Sequence, residues 1–541
     1  MNNNRANPAD SQAKMLKGSA WMTFGSIISR VLGVIYIIPW YAWMGAYGNI
    51  ANALTAKSYN IYSLFLIVST AGIPGAVAKQ IAKYNALDEY RVGQKLFKHG
   101  LALMALFGVL CAMIMYFAAP ILAAEDLRQV PVLRSLAFAV VVIPVMSIFR
   151  GYFQGYSNMM PSAMSQFVEQ LARVIWILLT AYVIMRVQHG NYLAAVTQSN
   201  LAAFVGAIFG ILLLCVFYLR QKRQVDQWIA DSQGNLQVST GSLFLEIIQQ
   251  SIPFIIIDSG ITLYQLIDQY TFHPLIASFV HVSYDQIESW YALFGLNANK
   301  LIMVTVSIAT AMAVTAIPLL SGAHAQKNWQ DIAYQLENTL QLFFFVMIPA
   351  SFGMAAISRP IYTVFYGPDP LGTAILVQSA ITAITLGFFT VLLAMQQGLS
   401  ENGLAIKYLL TGLVIKLVLQ YPMILLFNVF GPLTATNVAM LLTIGMSLKH
   451  LHVKYRFNQQ RLVHRILGMI GFSVVMLVSV MLAVHLFGLV LSPDRRLPAL
   501  INVVISTLLG AGIYIVLVLK SGLAEKVLGS RITRLRAKLH I

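Results

Sequence analysis

Between Trp21 and Leu519 the chain is a succession of apolar runs, most of them about twenty residues long and separated by short polar stretches. At 1.5 Å per residue, a helix of that length crosses the roughly 30 Å hydrocarbon layer of a bilayer. In lipid every backbone N–H and C=O must be paired within the protein, so runs of this kind fold as helices. The alternating strands of a membrane barrel are only about ten residues long. Composition agrees with this reading. Of 541 residues 58% are hydrophobic and 10% charged, with a mean hydropathy of +0.73, whereas a soluble domain carries about 25% charged residues. The fold class is therefore an all-α integral membrane protein. A soluble enzyme, a nucleic-acid-binding domain and a disulfide-stapled secreted module are excluded.

Fourteen spans are expected, near 18–42, 57–80, 97–119, 132–155, 162–186, 197–219, 250–274, 288–320, 336–357, 371–397, 404–427, 432–449, 466–490 and 498–520. With the N-terminus inside, the inner segments hold 25 Lys and Arg, and the outer ones only Arg128, Arg134, Arg186, Arg359, Arg495 and Arg496. The positive-inside rule then predicts a multi-pass protein of the cytoplasmic membrane with both termini in the cytoplasm. The formal charge of +17 faces the anionic inner leaflet and calls for no nucleic-acid partner. Residues 1–17 read as a cytoplasmic N-terminus with no cleaved signal peptide. They precede an N-lobe over 18–219 and a linker over 220–249, whose stretch 241–250 has the pattern of an amphipathic surface helix. A C-lobe follows over 250–449, then a basic loop over 450–465, two further helices within 466–520 and a basic tail over 521–541.

An internal repeat is visible at an offset of about 243 residues. Phe153-Gln-Gly-Tyr-Ser-Asn158 parallels Gln396-Gln-Gly-Leu-Ser-Glu401, and Ile73-Pro74 parallels Ile317-Pro318. This predicts two pseudo-symmetric six-helix lobes with two C-terminal helices outside the repeat, a plan used by transporters.

Charges inside apolar runs carry the functional signal, because each costs roughly 2.5–3.5 kcal/mol to insert. The reading singles out Arg30, Lys57, Arg173, Lys300, Lys416, Glu169, Asp258 and Asp268. By helical rise, Arg30, Arg173 and Lys416 lie about 17–18 Å along their spans, near mid-membrane. Lys57 lies at the outer end of its span and either snorkels or joins the cavity. Glu169 and Arg173, spaced i, i+4, can pair along one helix face. Arg30 has no acid within its own helix and is the best candidate anion ligand, the alternative being a structural role that caps carbonyls or pairs with Glu169; Lys300 reads in the same way. Asp268 and Lys416 can form a buried ion pair with Gln420 one turn beyond, the lysine ammonium standing where a coupling cation would bind. Asp258 is shallower and reads as a satisfied packing residue, the alternative being a proton carrier. Cationic excess in the cavity suits a phosphate-bearing substrate.

Signals for enzymatic chemistry are absent. There is no His-Glu-x-x-His, P-loop or Gly-x-Ser-x-Gly. His450-x-His452 reads as inner-surface charge, and Cys111 and Cys215 as small hydrophobes in apolar runs. The chain is read as a non-enzyme with no cofactor and no metal site.

Ser29-Arg-Val-Leu-Gly33 resembles the Ser-Arg-x-x-Gly signature of the MurJ-type lipid II flippases of the multidrug/oligosaccharidyl-lipid/polysaccharide (MOP) exporter superfamily. Ser69-Thr-Ala-Gly-Ile-Pro-Gly-Ala-Val-Ala-Lys79, Leu296-Asn-Ala-Asn-Lys-Leu301 and Ala316-Ile-Pro-Leu-Leu-Ser321 are similar to its Gram-positive branch. The resemblance implies a V-shaped bundle that exports lipid II by alternating access, with membrane lipids and cell-wall synthesis proteins as partners. It implies that Arg30 engages the diphosphate and that Lys300 supplies the charge of a cavity arginine. Tyr36 stands where other members carry a second arginine. The resemblance also implies that Asp268 lies near a sodium-binding position, from which Lys416 departs, and that the last two helices form a groove for the lipid tail. Alternatives are a flippase for another polyprenyl-linked glycan, a drug exporter of the same superfamily, and a non-transporting scaffold for wall synthesis.

Overall fold

The computed structural model describes residues 29, 32–70, 72–156, 158–230, 251–490 and 492–528. Arg30 and the amphipathic segment expected at 241–250 lie outside them. Among the described residues the regular structure is helical throughout. Among the described residues eleven stretches are long and apolar enough to cross a membrane. Two of these, Leu32–Asn85 and Asn402–Tyr455, each run to 54 residues, which is about 80 Å of helix at 1.5 Å per residue. Both are interrupted by a short 3₁₀ turn, at Gly45–Tyr47 and at Asn428–Phe430. The fourteen expected spans are therefore not reproduced as fourteen separate stretches.

The chain divides into two compact units, Met1–Thr262 and Leu263–Ile541. The first contains α1 (Ile37–Met44), α2 (Gly48–Thr70), α3 (Ile73–Ala86), α4 (Tyr90–Phe117), α5 (Gln129–Gly155), α6 (Met160–Tyr182) and α7 (Tyr192–Ala230). One part of its core gathers Ile81, Phe97, Met146, Tyr152 and Phe153 from α3, α4 and α5. Two expectations are corrected here. The span at 57–80 is not one helix, because Gly72 adopts φ +74° and Pro74 opens a new helix. Left-handed backbone is strained for residues with a Cβ, and proline lacks the N–H that would continue the ladder. The sixth expected span does not end at 219. It continues as α7 to Ala230, so the first part of the expected linker is helical.

The second unit begins inside α8 (Gly260–Ala277) and continues through α9 (Tyr284–Ala292), α10 (Asn299–Ala325), α11 (Trp329–Ala356) and α12 (Ser358–Tyr366). It is completed by α13 (Pro370–Gly398), α14 (Asn402–Phe427), α15 (Gly431–Tyr455), α16 (Gln459–Val490), α17 (Arg496–Lys520) and α18 (Leu523–Leu528). The last two long helices pack on α11 through Ile348, Met476, Val480 and Tyr514, and the Tyr514 hydroxyl donates to the Phe345 carbonyl at 3.0 Å. The expected span 288–320 also departs from uniform α-helix, since Leu293–Ala298 forms a π-helical turn between α9 and α10.

The repeat has a structural counterpart. At the end of α5 the Asn158 N–H donates to Phe153 O at 2.9 Å, and at the end of α13 the Glu401 N–H donates to Gln396 O at 2.8 Å. A Cβ on Gly155 would lie 2.7 Å from Ile81 of α3, and one on Gly398 2.9 Å from the Ile317 carbonyl of α10. The same six-residue helix end thus lets a neighbouring helix approach closely in each unit.

Candidate functional site

In the first unit the charges converge on one carboxylate. Glu169 and Arg173 lie one turn apart on α6, with Arg173 Nη2 at 3.3 Å from Glu169 Oε1. The other oxygen, Oε2, accepts from Arg150 Nη2 of α5 at 2.8 Å, and Arg150 Nε donates to Ser165 Oγ at 3.0 Å. Two arginines against one carboxylate leave a net positive charge. Tyr62, a fully enclosed side chain of α2, lies close to Arg173, with Tyr59 alongside. The rings of Tyr59 and Tyr62 are 5.2 Å apart. Small residues on α7 make this geometry possible. A Cβ on Gly206 would stand 2.6 Å from the Glu169 carbonyl oxygen, and one on Gly210 3.4 Å from Glu169 Cβ.

The pattern in the second unit is closed. Lys416 of α14 is 0% exposed. Its ammonium donates to Asp268 Oδ1 of α8 at 2.6 Å, to the Pro432 carbonyl at 2.8 Å and to Thr436 Oγ1 of α15 at 2.6 Å. An ammonium has three protons, so every donor is used. Gln420 Nε2 adds a bond to the same Asp268 oxygen at 2.9 Å. Carboxylate, carbonyl and hydroxyl oxygens from two helices, α8 and α15, therefore surround one positive nitrogen carried by a third. The local cause is Pro432 in the first turn of α15, while the Gly412 position on α14 admits the Tyr264 side chain of α8.

These two networks bring together Glu169 with Arg173, and Asp268 with Lys416 and Gln420. Among the described residues Glu169 is held by Arg150 and Arg173, and Asp268 by Lys416 and Gln420. Lys57 is 6% exposed within α2, which corrects the snorkelling expectation, because its side chain is enclosed by protein. Lys300 is partly buried at the second position of α10, directly after the π-helical turn. That turn is pinned by Asn297, whose amide donates to Tyr362 Oη at 3.0 Å and whose carbonyl accepts from Tyr366 Oη at 3.1 Å. Single π-turns inside helices recur at functional sites. Asp258 is exposed and makes no hydrogen bond or ion pair among the described residues, so the expected packing role is not what the structure shows.

Sequence reasoning missed Arg150, which sits in the last turns of the span expected at 132–155 and was counted with the inner-loop charge. The signal was its place inside an apolar run, ahead of the Ser162, Ser165, Glu169 row on the next helix. It also missed the role of Glu401. This buried carboxylate accepts from Lys454 Nζ at 2.6 Å and Tyr455 Oη at 2.8 Å, with His450 Nε2 at 3.2 Å. His450 is thus part of a clasp joining the start of α14 to the end of α15, rather than loose surface charge. Cys111 and Cys215 are free thiols packed in the apolar interior or partly so.

Comparison with known proteins places this architecture. A family model described as polysaccharide biosynthesis protein matches residues 15–324. The lipid II flippase MurJ of Bacillus subtilis is 32% identical over 538 residues, covering 96% of this chain and 98% of the relative. A solved structure of the lipid II flippase MurJ in an inward closed conformation superposes with a TM-score of 0.63 at 14% identity, over 94% of this chain and 99% of that one. An inward-facing multidrug resistance transporter of the MATE family, in the MOP superfamily, gives 0.62 at 12% identity over 79% and 94%. At such low identities the two solved structures establish the fold alone. With more than half its length matched by the family model and nearly all of it by a 32% identical relative, the chain belongs to the polysaccharide biosynthesis protein family, in its MurJ group.

Proposed function

We propose that this chain is a flippase that carries a lipid-linked peptidoglycan precursor, lipid II, from the inner to the outer leaflet of the cytoplasmic membrane by alternating access. The observation that carries the reading is the relative named a lipid II flippase, matched over nearly the full length of both chains. The side-chain chemistry supports it. Arg30, Lys57, Arg173 and Lys300 supply cations at membrane depth for the pyrophosphate, and guanidinium groups bind phosphate through paired N–H donors. The net positive charge left on the Arg150–Glu169–Arg173 network adds to that field. Both termini lie in the cytoplasm in this reading, the last two helices hold the lipid tail, and cell-wall synthesis proteins receive the product. Catalysis of a bond-breaking step plays no part.

Lys416 supports a specific form of energy coupling. Its ammonium already occupies the oxygens that a small cation would need, so the membrane potential, rather than a sodium gradient, drives the cycle. Each elementary charge moved is worth about 2.3 kcal/mol per 100 mV.

The test is outer-leaflet exposure of lipid II in cells depleted of this protein, with rescue by wild type and by Arg30→Ala at equal expression. Loss of exposure restored by wild type alone is the expected result. Unchanged exposure, with no second flippase active, would assign the chain to another lipid-linked glycan or to a non-transporting role.

A further inference from the structure

At the end of α7 that extends past the apolar run, α4 and α7 enclose an open pocket of about 380 Å³ lined by Arg91, Gln94, Lys95, Lys98, Tyr218, Lys222 and Asp226 among others. Arg91, Lys95 and Lys98 are spaced i, i+4, i+7, so they project from one face of α4, and Lys222 faces them from α7. Like charges at this spacing repel. Only Asp226 opposes the four cations in the lining, and none of the four makes a side-chain ion pair or hydrogen bond among the described residues. The floor is rigid: Gln94 Nε2 donates to Tyr218 Oη at 2.8 Å, and the Phe97 and Tyr218 rings lie 5.3 Å apart. The outer end is held by Trp228, stacked with Tyr90 at 5.7 Å and with Tyr156 at 5.9 Å. Ordinary inner-surface charge is dispersed over loops; here it is concentrated in a concavity built by two packed helices.

We propose that this pocket binds a phosphate group at the membrane surface, as a site separate from the transported substrate's. Four convergent cations, two hydrogen-bonding side chains and a volume within the range of small-ligand sites fit a phosphate bearing a small polar substituent. The source is either an anionic phospholipid headgroup or a soluble phosphate compound.

The test uses the full-length protein in phosphatidylcholine nanodiscs, with phosphatidylglycerol in one arm and added inorganic pyrophosphate in the other. The readout is the rate at which an amine-reactive reagent labels each lysine. Labelling of Lys95, Lys98 and Lys222 is expected to slow about tenfold in at least one arm, while Lys79 and Lys83, exposed on α3 outside the pocket, stay unchanged. Protection by phosphatidylglycerol alone identifies a lipid headgroup, and protection by pyrophosphate identifies soluble phosphate. Equal slowing at all five lysines would reduce the effect to surface screening and overturn the proposal, as would no protection in either arm. As a second measurement, the protecting probe should raise the unfolding temperature of wild type and of Lys79→Gln/Lys83→Gln but not of Lys95→Gln/Lys98→Gln. Stabilisation of all three proteins alike would also overturn it.

Discussion

Lys416 has no contact with solvent, yet each of its ammonium protons is accepted by an oxygen. Replacing it by methionine leaves the Asp268 carboxylate buried with one amide for company. Removing one partner of a buried ion pair costs about 3–5 kcal/mol, so Lys416→Met is expected to lower the unfolding temperature of the detergent-solubilised protein clearly. The double variant Asp268→Leu/Lys416→Met should recover most of the loss, since apolar replacement of a whole pair is often neutral. An unchanged midpoint in the single variant would show that the pair contributes nothing. The first unit makes a different prediction, because its network carries net charge. Arg150→Gln takes that charge to zero, whereas Arg150→Gln/Glu169→Gln restores it with Arg173 alone. If charge is what the substrate senses, the double variant should support more lipid II exposure than the single one; the reverse order would assign the network to packing. Opposite charges inside apolar runs made Asp268 with Lys416, and Glu169 with Arg173, legible from the chain alone. Arg150 was not, because a basic residue near a helix end looks the same whether it faces water or reaches back to a carboxylate.

At the scale of elements, small residues decide where helices meet. Gly206 lies so close to the Glu169 carbonyl that a methyl group must push α7 away from α6. Gly206→Val should therefore destabilise by about 1–3 kcal/mol, as overpacking does, and should loosen the Arg150–Glu169–Arg173 network with it. Thermal unfolding measures the first effect. A midpoint within error of wild type would mean that the helices part without loss. The same scale shows what periodicity conceals. Hydropathy located the apolar centres of the described helices but missed several of their ends by seven to eleven residues, because burial in lipid selects for apolar composition over the span and not for where the backbone ladder stops. It passed over the break at Gly72, which depends on one backbone angle, and the π-turn at Leu293–Ala298, which depends on a pairing of backbone groups. It also ended α7 too early, since the helix beyond the apolar run is held by Tyr90, Tyr156 and Trp228 rather than by lipid.

For the whole molecule, the repeat was readable because two short motifs recur at nearly one offset, 153–158 with 396–401 and 73–74 with 317–318. The helix ends at Gly155 and Gly398 then showed that the repeat is one of backbone geometry and not only of residue type. Energy coupling also belongs to this scale. Lipid II exposure should fall when an ionophore collapses the membrane potential and should be unaffected when external sodium is exchanged for choline at constant potential. Dependence on sodium at fixed potential would contradict the coupling proposed from Lys416.

A positive centre attached by a side chain differs in kind from one that is bound. It cannot be dialysed away, chelated or exchanged during purification, and mobile salt screens a buried pair far less than an exposed one. Because α8, α14 and α15 meet on such a centre, their junction should look the same in dilute buffer and in brine. The arrangement of these three helices is thereby made independent of the ionic composition on either side of the membrane.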